Sequence, residues 1–254
     1  MLLVTAIMST VILLMVLFSF RDRYGVPIWS SKKSHPPIND GVVQKPLMDQ
    51  FKICMRNKTY VFSALSTSLV MLIMYVFNNI ISLLLIPEGI EEEAFANTLG
   101  IWMQAFGIAG GVIFSLVLTC HPKRLNFAAY IIGIGVFVGQ AFFWFADTQA
   151  SKPMLIVAIS ILGFFLLPVI FVGYEIAVEL TEADGVGDTL SCGIINVTTN
   201  FISGIVYFAI VPIVNKETIK SNTITYTILL VNLALAFIFL VFSSIYGKKE
   251  GRHH

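Results

Sequence analysis

Long apolar stretches separated by short polar ones make up most of the chain. A membrane-spanning helix needs about 20 mostly apolar residues, and seven stretches of the sequence meet that requirement. They cover residues 1–20, 60–86, 94–120, 125–146, 154–178, 189–214 and 223–246. The pattern predicts an all-α membrane protein with seven transmembrane helices.

The distribution of basic residues predicts the orientation of these helices. Eight of the 16 lysines and arginines lie in residues 21–59, two follow the third span and three follow the last. Because basic loops stay in the cytoplasm, we expect the amino terminus outside the cell and the carboxyl terminus inside. The glutamates between residues 88 and 93 then lie outside. We expect a multi-pass protein of the plasma membrane that contacts the lipid bilayer.

The only long connection predicts a division of the chain into four parts. An orphan helix at 1–20 is followed by a cytoplasmic linker at 21–59, a six-helix bundle at 60–246 and a cytoplasmic tail at 247–254. Within the linker, residues 47–56 mix apolar and basic side chains at helical spacing. That spacing predicts a short helix along the inner membrane surface, although a solvated linker helix fits equally well.

Composition supports the membrane class and excludes others. Of 254 residues, 57% are apolar and 12% are charged, against about 25% charged in soluble domains. The net charge of +1 gives no basic surface for nucleic acid. Cys54, Cys120 and Cys192 have no metal-binding spacing and none is expected outside, so we expect no disulfide. We expect no metal, no cofactor and no enzymatic activity.

Polar residues recur at helical spacing inside three of the spans. Tyr75 and Asn79 share one face of the second span, and Asn196 and Asn200 share one face of the sixth. Since polar groups facing lipid are costly, these faces should line a substrate path, and a tyrosine ring can bind a quaternary ammonium. Hydrogen bonding between helices is the alternative. For Gln104 in the third span, both interpretations stay open.

Further residues suggest packing and a gate. Gly107 with Gly111, and Gly135 with Gly139, have the spacing of close helix contacts. Charged groups gather at the predicted inner ends of the spans, where an ion pair could close the mouth of the path or simply join helix ends. These groups are Lys123, Arg124, Glu175 and Glu179.

Two motifs resemble one transporter family. Residues 173–181 read Gly-Tyr-Glu-Ile-Ala-Val-Glu-Leu-Thr, and residues 192–196 read Cys-Gly-Ile-Ile-Asn, with Asn200 one turn later. They resemble the tenth and eleventh spans of the feline leukaemia virus subgroup C receptor-related family of major facilitator transporters. Better-known members of that family have glutamine where this chain has Asn200.

The resemblance implies both a fold and a function. The chain would hold helix six, the central loop and the six-helix carboxyl-terminal half of a major facilitator, and would need the missing amino-terminal half. It would transport choline or ethanolamine by alternating access, with Tyr75 facing the substrate. Haem transport is the alternative within the family. A membrane receptor or scaffold that transports nothing is the alternative from another class.

Overall fold

The computed structural model describes residues 46–86, 93–120, 124–182, 184–215 and 219–250. All of the described residues belong to one compact unit, residues 44–254. The predicted span at 1–20, the first part of the linker and Lys123 lie outside the described residues. The first of the seven predicted spans therefore stays a prediction.

The described part of the chain is all-α and contains no strand. It forms a short helix followed by six membrane-spanning segments, and the predicted all-α membrane fold is confirmed. The helices are α1 (Leu47–Arg56), α2 (Lys58–Leu85), α3 (Glu93–Cys120), α4 (Leu125–Thr148), α5 (Lys152–Leu166), α6 (Pro168–Glu182), α7 (Asp188–Val214) and α8 (Ile219–Glu250).

The fifth span consists of two helices, α5 and α6, because a proline interrupts it. Pro168 has no N–H, so it cannot donate to the carbonyl of Phe164 four residues earlier. Gly110 of α3 lies against that same carbonyl, and a Cβ atom built on Gly110 would be 1.9 Å from the Phe164 oxygen. The broken helix and the glycine together allow α3 and α5 to approach closely.

Helix α2 lies at the centre of the bundle. It packs against α6, α7 and α8. In its most apolar stretch of 18 residues, 67% of the residues are buried, compared with 22% in the corresponding stretches of α3 and α7. The remaining helices pack around α5, which contacts α3 on one side and α4 on the other. Helix α2 is thus the element on which the position of the other functional helices depends.

Side chains that bond to backbone carbonyls join α2 to α8 along most of their length. Asn222 and Asn232 of α8 donate to the carbonyls of Leu84 (2.6 Å) and Leu69 (2.7 Å). Further along the same contact, Ser66 Oγ donates to the Ala236 carbonyl at 2.8 Å. These bonds satisfy polar groups that would be costly inside a membrane.

Candidate functional site

The central helix α2 is open to its surroundings at one place only. Between Thr59 and Leu85, every residue is buried or half-buried except Asn78 and Asn79. Tyr75 and Ser82 on the same side are half-buried. The Asn79 side-chain amide donates to the Tyr75 carbonyl at 2.6 Å, which holds it against its own helix. An apolar helix therefore presents a tyrosine and two amides at its one opening.

Helix α7 has three distinct faces. Its buried face packs against α2, where Ser68 Oγ donates to the Ile195 carbonyl at 3.3 Å. Asn196 and Asn200 are exposed, and the Asn200 amide donates to the Asn196 carbonyl at 2.8 Å. A separate exposed face is fully apolar and is formed by Val197, Phe201, Ile205 and Phe208. The two asparagines thus lie between the α2 contact and a surface suited to lipid.

Gln104 lies on an exposed polar strip of α3, together with Asn97 and Ser115. The strip adjoins the buried glycine face that packs on α5, since Gly107 would meet Leu167 at 3.0 Å if it carried a Cβ atom. Within the described residues, no hydrogen bond joins Gln104, the α2 pair or the α7 pair to one another. The predicted substrate residues therefore lie on three separate helices, and the hydrogen bonds among them stay within α2 and within α7.

Helix α6 contributes a residue that the sequence analysis missed. Tyr174 is half-buried and lies within electrostatic reach of Tyr75 on α2 and Cys192 on α7. It stands inside the Gly-Tyr-Glu motif, where Glu175 drew attention because of its charge. Its neighbour Gly173 packs against the side chain of Thr67 on α2, so α6 approaches α2 closely at this level.

Three of the predicted gate residues, Arg124, Glu175 and Glu179, lie in the described part of the chain, and all three are exposed. Glu175 and Glu179 lie one turn apart on α6, and Arg124 precedes α4. No ion pair links Arg124 to either glutamate in the part of the chain that the structure describes. Glu175 does lie within electrostatic reach of Cys192 on α7.

Two buried polar groups on α4 were not anticipated. The sequence analysis ended this span at residue 146, yet the helix continues to Thr148 and buries Asp147, to which Tyr226 Oη donates at 2.9 Å. Gln140 is fully buried, and neither its amide nitrogen nor its oxygen has a hydrogen-bond partner. The sequence pattern did not reveal these residues, because a single polar side chain changes the average hydropathy of a long apolar stretch very little.

The predicted substrate-binding residues are all neutral: they are Tyr75, Asn79, Gln104, Asn196 and Asn200. Tyrosine rings offer a negative π face for cations, and asparagine and glutamine offer one acceptor and one amide donor group each. Among the described residues, no group of three or more His, Cys, Asp and Glu side chains could hold a metal ion. Groups of these kinds are suited to a small organic cation that also carries a hydrogen-bonding group.

Comparison with known proteins points to transporters. No family model matches the chain. It is 25% identical to the choline/ethanolamine transporter flvcr2a of Danio rerio over 195 residues, which is 76% of this chain and 40% of that protein. It is 22% identical to the choline/ethanolamine transporter FLVCR1 of Mus musculus over 209 residues, 78% of this chain and 34% of that protein.

A third relative comes from a distant animal. The chain is 23% identical over 207 residues to an uncharacterized MFS-type transporter, C09D4.1 of Caenorhabditis elegans, which is 80% of this chain and 35% of that protein. The matches with these three relatives thus cover between 34% and 40% of the relatives' lengths.

Proposed function

Because this chain is related to the feline leukaemia virus subgroup C receptor-related transporters of the major facilitator superfamily, we propose that it forms one half of a transporter for choline or ethanolamine. The other half is an amino-terminal set of spans, on the same or on a separate polypeptide. In such transporters, two six-span halves rock about a site between them. The proposed location is the plasma membrane, with the carboxyl terminus in the cytoplasm.

The observation that carries the proposal is the single opening on α2. Asn78 and Asn79 are the only exposed residues between Thr59 and Leu85. Exposure of two amides to lipid would cost far more than exposure of leucine. A surface that faces substrate and a second protein half has no such cost, and it explains why the opening is polar.

The proposed roles follow from the chemistry of each side chain. The ring of Tyr75 binds the ammonium group, and a cation on an aromatic face contributes about 0.5–2 kcal/mol depending on its desolvation. Asn79, Asn196, Asn200 and Gln104 supply amide groups around it, which orient the hydroxyl of choline or ethanolamine. The required space lies between this half and the amino-terminal half.

We also propose that the charged groups at the inner ends of the spans act as a gate. Glu175 and Glu179 are exposed on one face of α6 and have no partner in Arg124. They would pair with Lys123, Arg124 or the other half when the inner mouth closes. Exchange of Glu179 for glutamine should speed opening at that mouth, measured as faster substrate efflux from preloaded vesicles.

The test of the binding site uses the chain combined with its amino-terminal half. Tyr75→Ala should raise the apparent dissociation constant for choline by about 2- to 30-fold, because the cation loses the ring face. Tyr75→Phe keeps the face and should cost much less. Tyr130→Ala is the matched control, since Tyr130 is equally half-buried but packs on Phe237 of α8. Radiolabelled choline binding to purified protein gives the constants.

A second set of variants separates the possible substrates. Asn200→Gln should preserve or improve choline binding, whereas Asn200→Ala should weaken it. Suppose that Tyr75→Ala and Asn200→Ala leave choline and ethanolamine transport intact but abolish haem movement. The amine proposal would then be wrong, and haem would replace it.

The requirement for two halves has its own test. The 254-residue chain by itself should show no saturable uptake of choline in proteoliposomes, and uptake should return when an amino-terminal half is supplied. Saturable uptake by the chain alone would contradict the split of the site between two halves.

A further inference from the structure

Helix α1 is held against the bundle by specific contacts on one of its faces. Gln50 Oε1 accepts a hydrogen bond from the Gly187 N–H at 2.9 Å, and Cys54 is fully buried. Just beyond the helix, the Asn57 amide donates to the Leu180 carbonyl at 3.2 Å. These contacts fix α1 beneath the turn that joins α6 to α7.

The same contacts place α1 at the boundary of the membrane. Gly187 immediately precedes α7, Leu180 lies two residues before the end of α6, and α2 begins two residues after Arg56. All three positions are ends of membrane-spanning segments. A helix fixed at that level lies where the hydrocarbon meets the lipid headgroups.

A second face of α1 is apolar and uncovered within the described residues. Leu47, Met48, Phe51 and Met55 are 71%, 64%, 41% and 43% exposed. At about 100° per residue, this face lies roughly a quarter turn from the buried face of Gln50 and Cys54. Four long apolar side chains in one exposed patch indicate an interaction surface.

The third face is basic. Lys52 and Arg56 lie another quarter turn beyond the apolar patch, and both are exposed, as is Lys58 at the start of α2. Asp49 pairs with Lys52 at 3.9 Å, and both side chains are more than half exposed. Such an exposed ion pair contributes little to stability, so Lys52 can exchange Asp49 for a lipid phosphate. Residues 47–58 keep a net positive charge.

We propose that α1 is a lipid-binding helix that rests its apolar face on the bilayer and binds anionic headgroups with Lys52 and Arg56. The order of the faces supports this occupant, because a helix lying flat beside the bundle meets protein on one side, acyl chains below and headgroups on the third side. A flank of basic residues beside large apolar ones is the composition of interfacial helices. The amino-terminal half of a transporter is the competing occupant.

If lipid binds α1, it also affects the helices α6 and α7, which carry residues of the candidate site. Because Gln50 bonds to the residue before α7 and Asn57 bonds to the last turn of α6, a lipid that holds α1 also holds the inner ends of the helices that carry Tyr174 and Asn196. The anionic lipids of the inner leaflet would then restrain the motion of this end of the bundle. This consequence rests on the proposed function, whereas the lipid contact does not.

The test measures the environment of two neighbouring positions in the full chain. Cys54, Cys120 and Cys192 are changed to Ala, and a fluorophore is attached through Phe51→Cys or, as the matched control, Lys52→Cys. The protein is placed in vesicles of phosphatidylcholine with about one third phosphatidylglycerol. A quencher on the lipid acyl chain and iodide in the buffer are then compared.

The expected result is opposite behaviour at the two positions. The acyl-chain quencher should lower the fluorescence at position 51 at least about twofold more than at position 52, since an interfacial helix buries its apolar face about 5–10 Å deep. Iodide should show the reverse order. Access of iodide to both positions, or shielding of position 51 from both quenchers, would overturn the proposal; the second outcome would show that protein covers the face.

The charge contribution is tested separately. Lys52→Gln combined with Arg56→Gln should abolish the difference in acyl-chain quenching at position 51 between vesicles with and without phosphatidylglycerol. Lys152→Gln, on the opposite side of the bundle, is the control and should leave that difference unchanged. An unchanged difference in the Lys52/Arg56 variant would show that these side chains do not bind anionic headgroups. Choline binding is not needed for any of these readings.

Discussion

Two contacts between helices hold the bundle together by different means. The hydrogen-bonded seam joins α2 to α8, where Asn222, Asn232, Ser66 and Ser243 donate to carbonyls of the opposite helix. The glycine seam joins α3 to α5, where Gly107, Gly110 and Gly163 bring the two backbones close. One seam depends on polar atoms and the other on the absence of side chains.

The difference shows how each contact responds to substitution. Inside a membrane, apolar side chains gain little from leaving lipid, so helices associate through packing and through hydrogen bonds. Where the acceptor lies inside a helix, as at Leu69 and Ala236, a lost hydrogen bond at the first seam leaves a carbonyl that is still bonded within its own helix. An added methyl group at the second seam meets a backbone atom that cannot rotate away. The glycine seam should therefore tolerate far less change.

The largest effect is expected at the centre of the glycine seam. A Cβ atom at Gly110 would lie 1.9 Å from the Phe164 oxygen, and one at Gly163 would lie 2.2 Å from the Met103 oxygen. Gly110→Ala and Gly163→Ala should each lower the free energy of unfolding by about 3 kcal/mol or more, because the helices must separate. Thermal unfolding of the purified protein in detergent measures the loss.

The control for these variants is a glycine with free space around it. A Cβ atom at Gly100 of α3 or at Gly204 of α7 would meet nothing within 4 Å. Gly100→Ala and Gly204→Ala should be neutral or slightly stabilising, since alanine favours the helix by about 1 kcal/mol. An equal loss at Gly100 and Gly110 would refute the close-approach explanation.

A smaller effect is expected where a glycine meets a side chain. A Cβ atom at Gly173 of α6 would lie 2.3 Å from Cγ2 of Thr67 on α2. Gly173→Ala should cost about 1–3 kcal/mol, and Thr67→Ala in the same chain should recover part of that loss. The double-mutant cycle measures the coupling; strictly additive losses would show that the two residues do not compete for space.

Substitutions in the hydrogen-bonded seam should lower the stability less than those in the glycine seam. Asn222→Ala and Asn232→Ala should each cost about 0.6 kcal/mol and at most about 1.7 kcal/mol, the average and the maximum of measured hydrogen bonds between membrane helices. Asn79→Ala and Asn200→Ala are matched controls, because these amides donate to their own helices. Denaturation with increasing sodium dodecyl sulfate compares the stability of the four variants. A larger loss of stability in the two controls would show that the bonds of Asn222 and Asn232 do not hold α2 and α8 together.

The smallest loss of stability is expected when a hydroxyl group of the hydrogen-bonded seam is removed. Ser66→Ala removes the donor to the Ala236 carbonyl, and Ser243→Ala removes the donor to the Thr59 carbonyl. Each should cost about 0.5 kcal/mol or slightly more, measured by the same denaturation. A loss as large as that of Gly110→Ala would mean that the two seams do not differ in kind.

The glycine seam also shows where sequence pattern reached its limit. The spacing of Gly107 and Gly111 predicted a close contact on α3, and Gly107 does pack against Leu167. The closest approach, however, is at Gly110, and Gly111 meets only the ring of Phe171. The atom that Gly110 approaches is the Phe164 carbonyl of another span, which Pro168 leaves without its helical donor. No local spacing contains that information.

For the candidate site, too, the sequence predicted some features and missed others. Helical periodicity placed Tyr75 with Asn79, and Asn196 with Asn200, on common faces, because side chains three or four residues apart must share a face of a helix. It missed Tyr174, whose position near Tyr75 and Cys192 arises from the packing of α6 on α2. It also missed the burial of Asp147 and Gln140, which depends on the neighbours of α4.

The sequence by itself determined the elements of this protein, because membrane helices must be long, apolar and internally hydrogen-bonded whatever surrounds them. The six described spans and their approximate ends follow from that requirement, and so does the polarity of their faces. Only the tertiary structure decided which polar residues are buried against a neighbour, such as Asn222, and which remain exposed, such as Asn79. Both are asparagines in apolar helices, and the difference is set by the partner helix, which a one-dimensional pattern cannot contain.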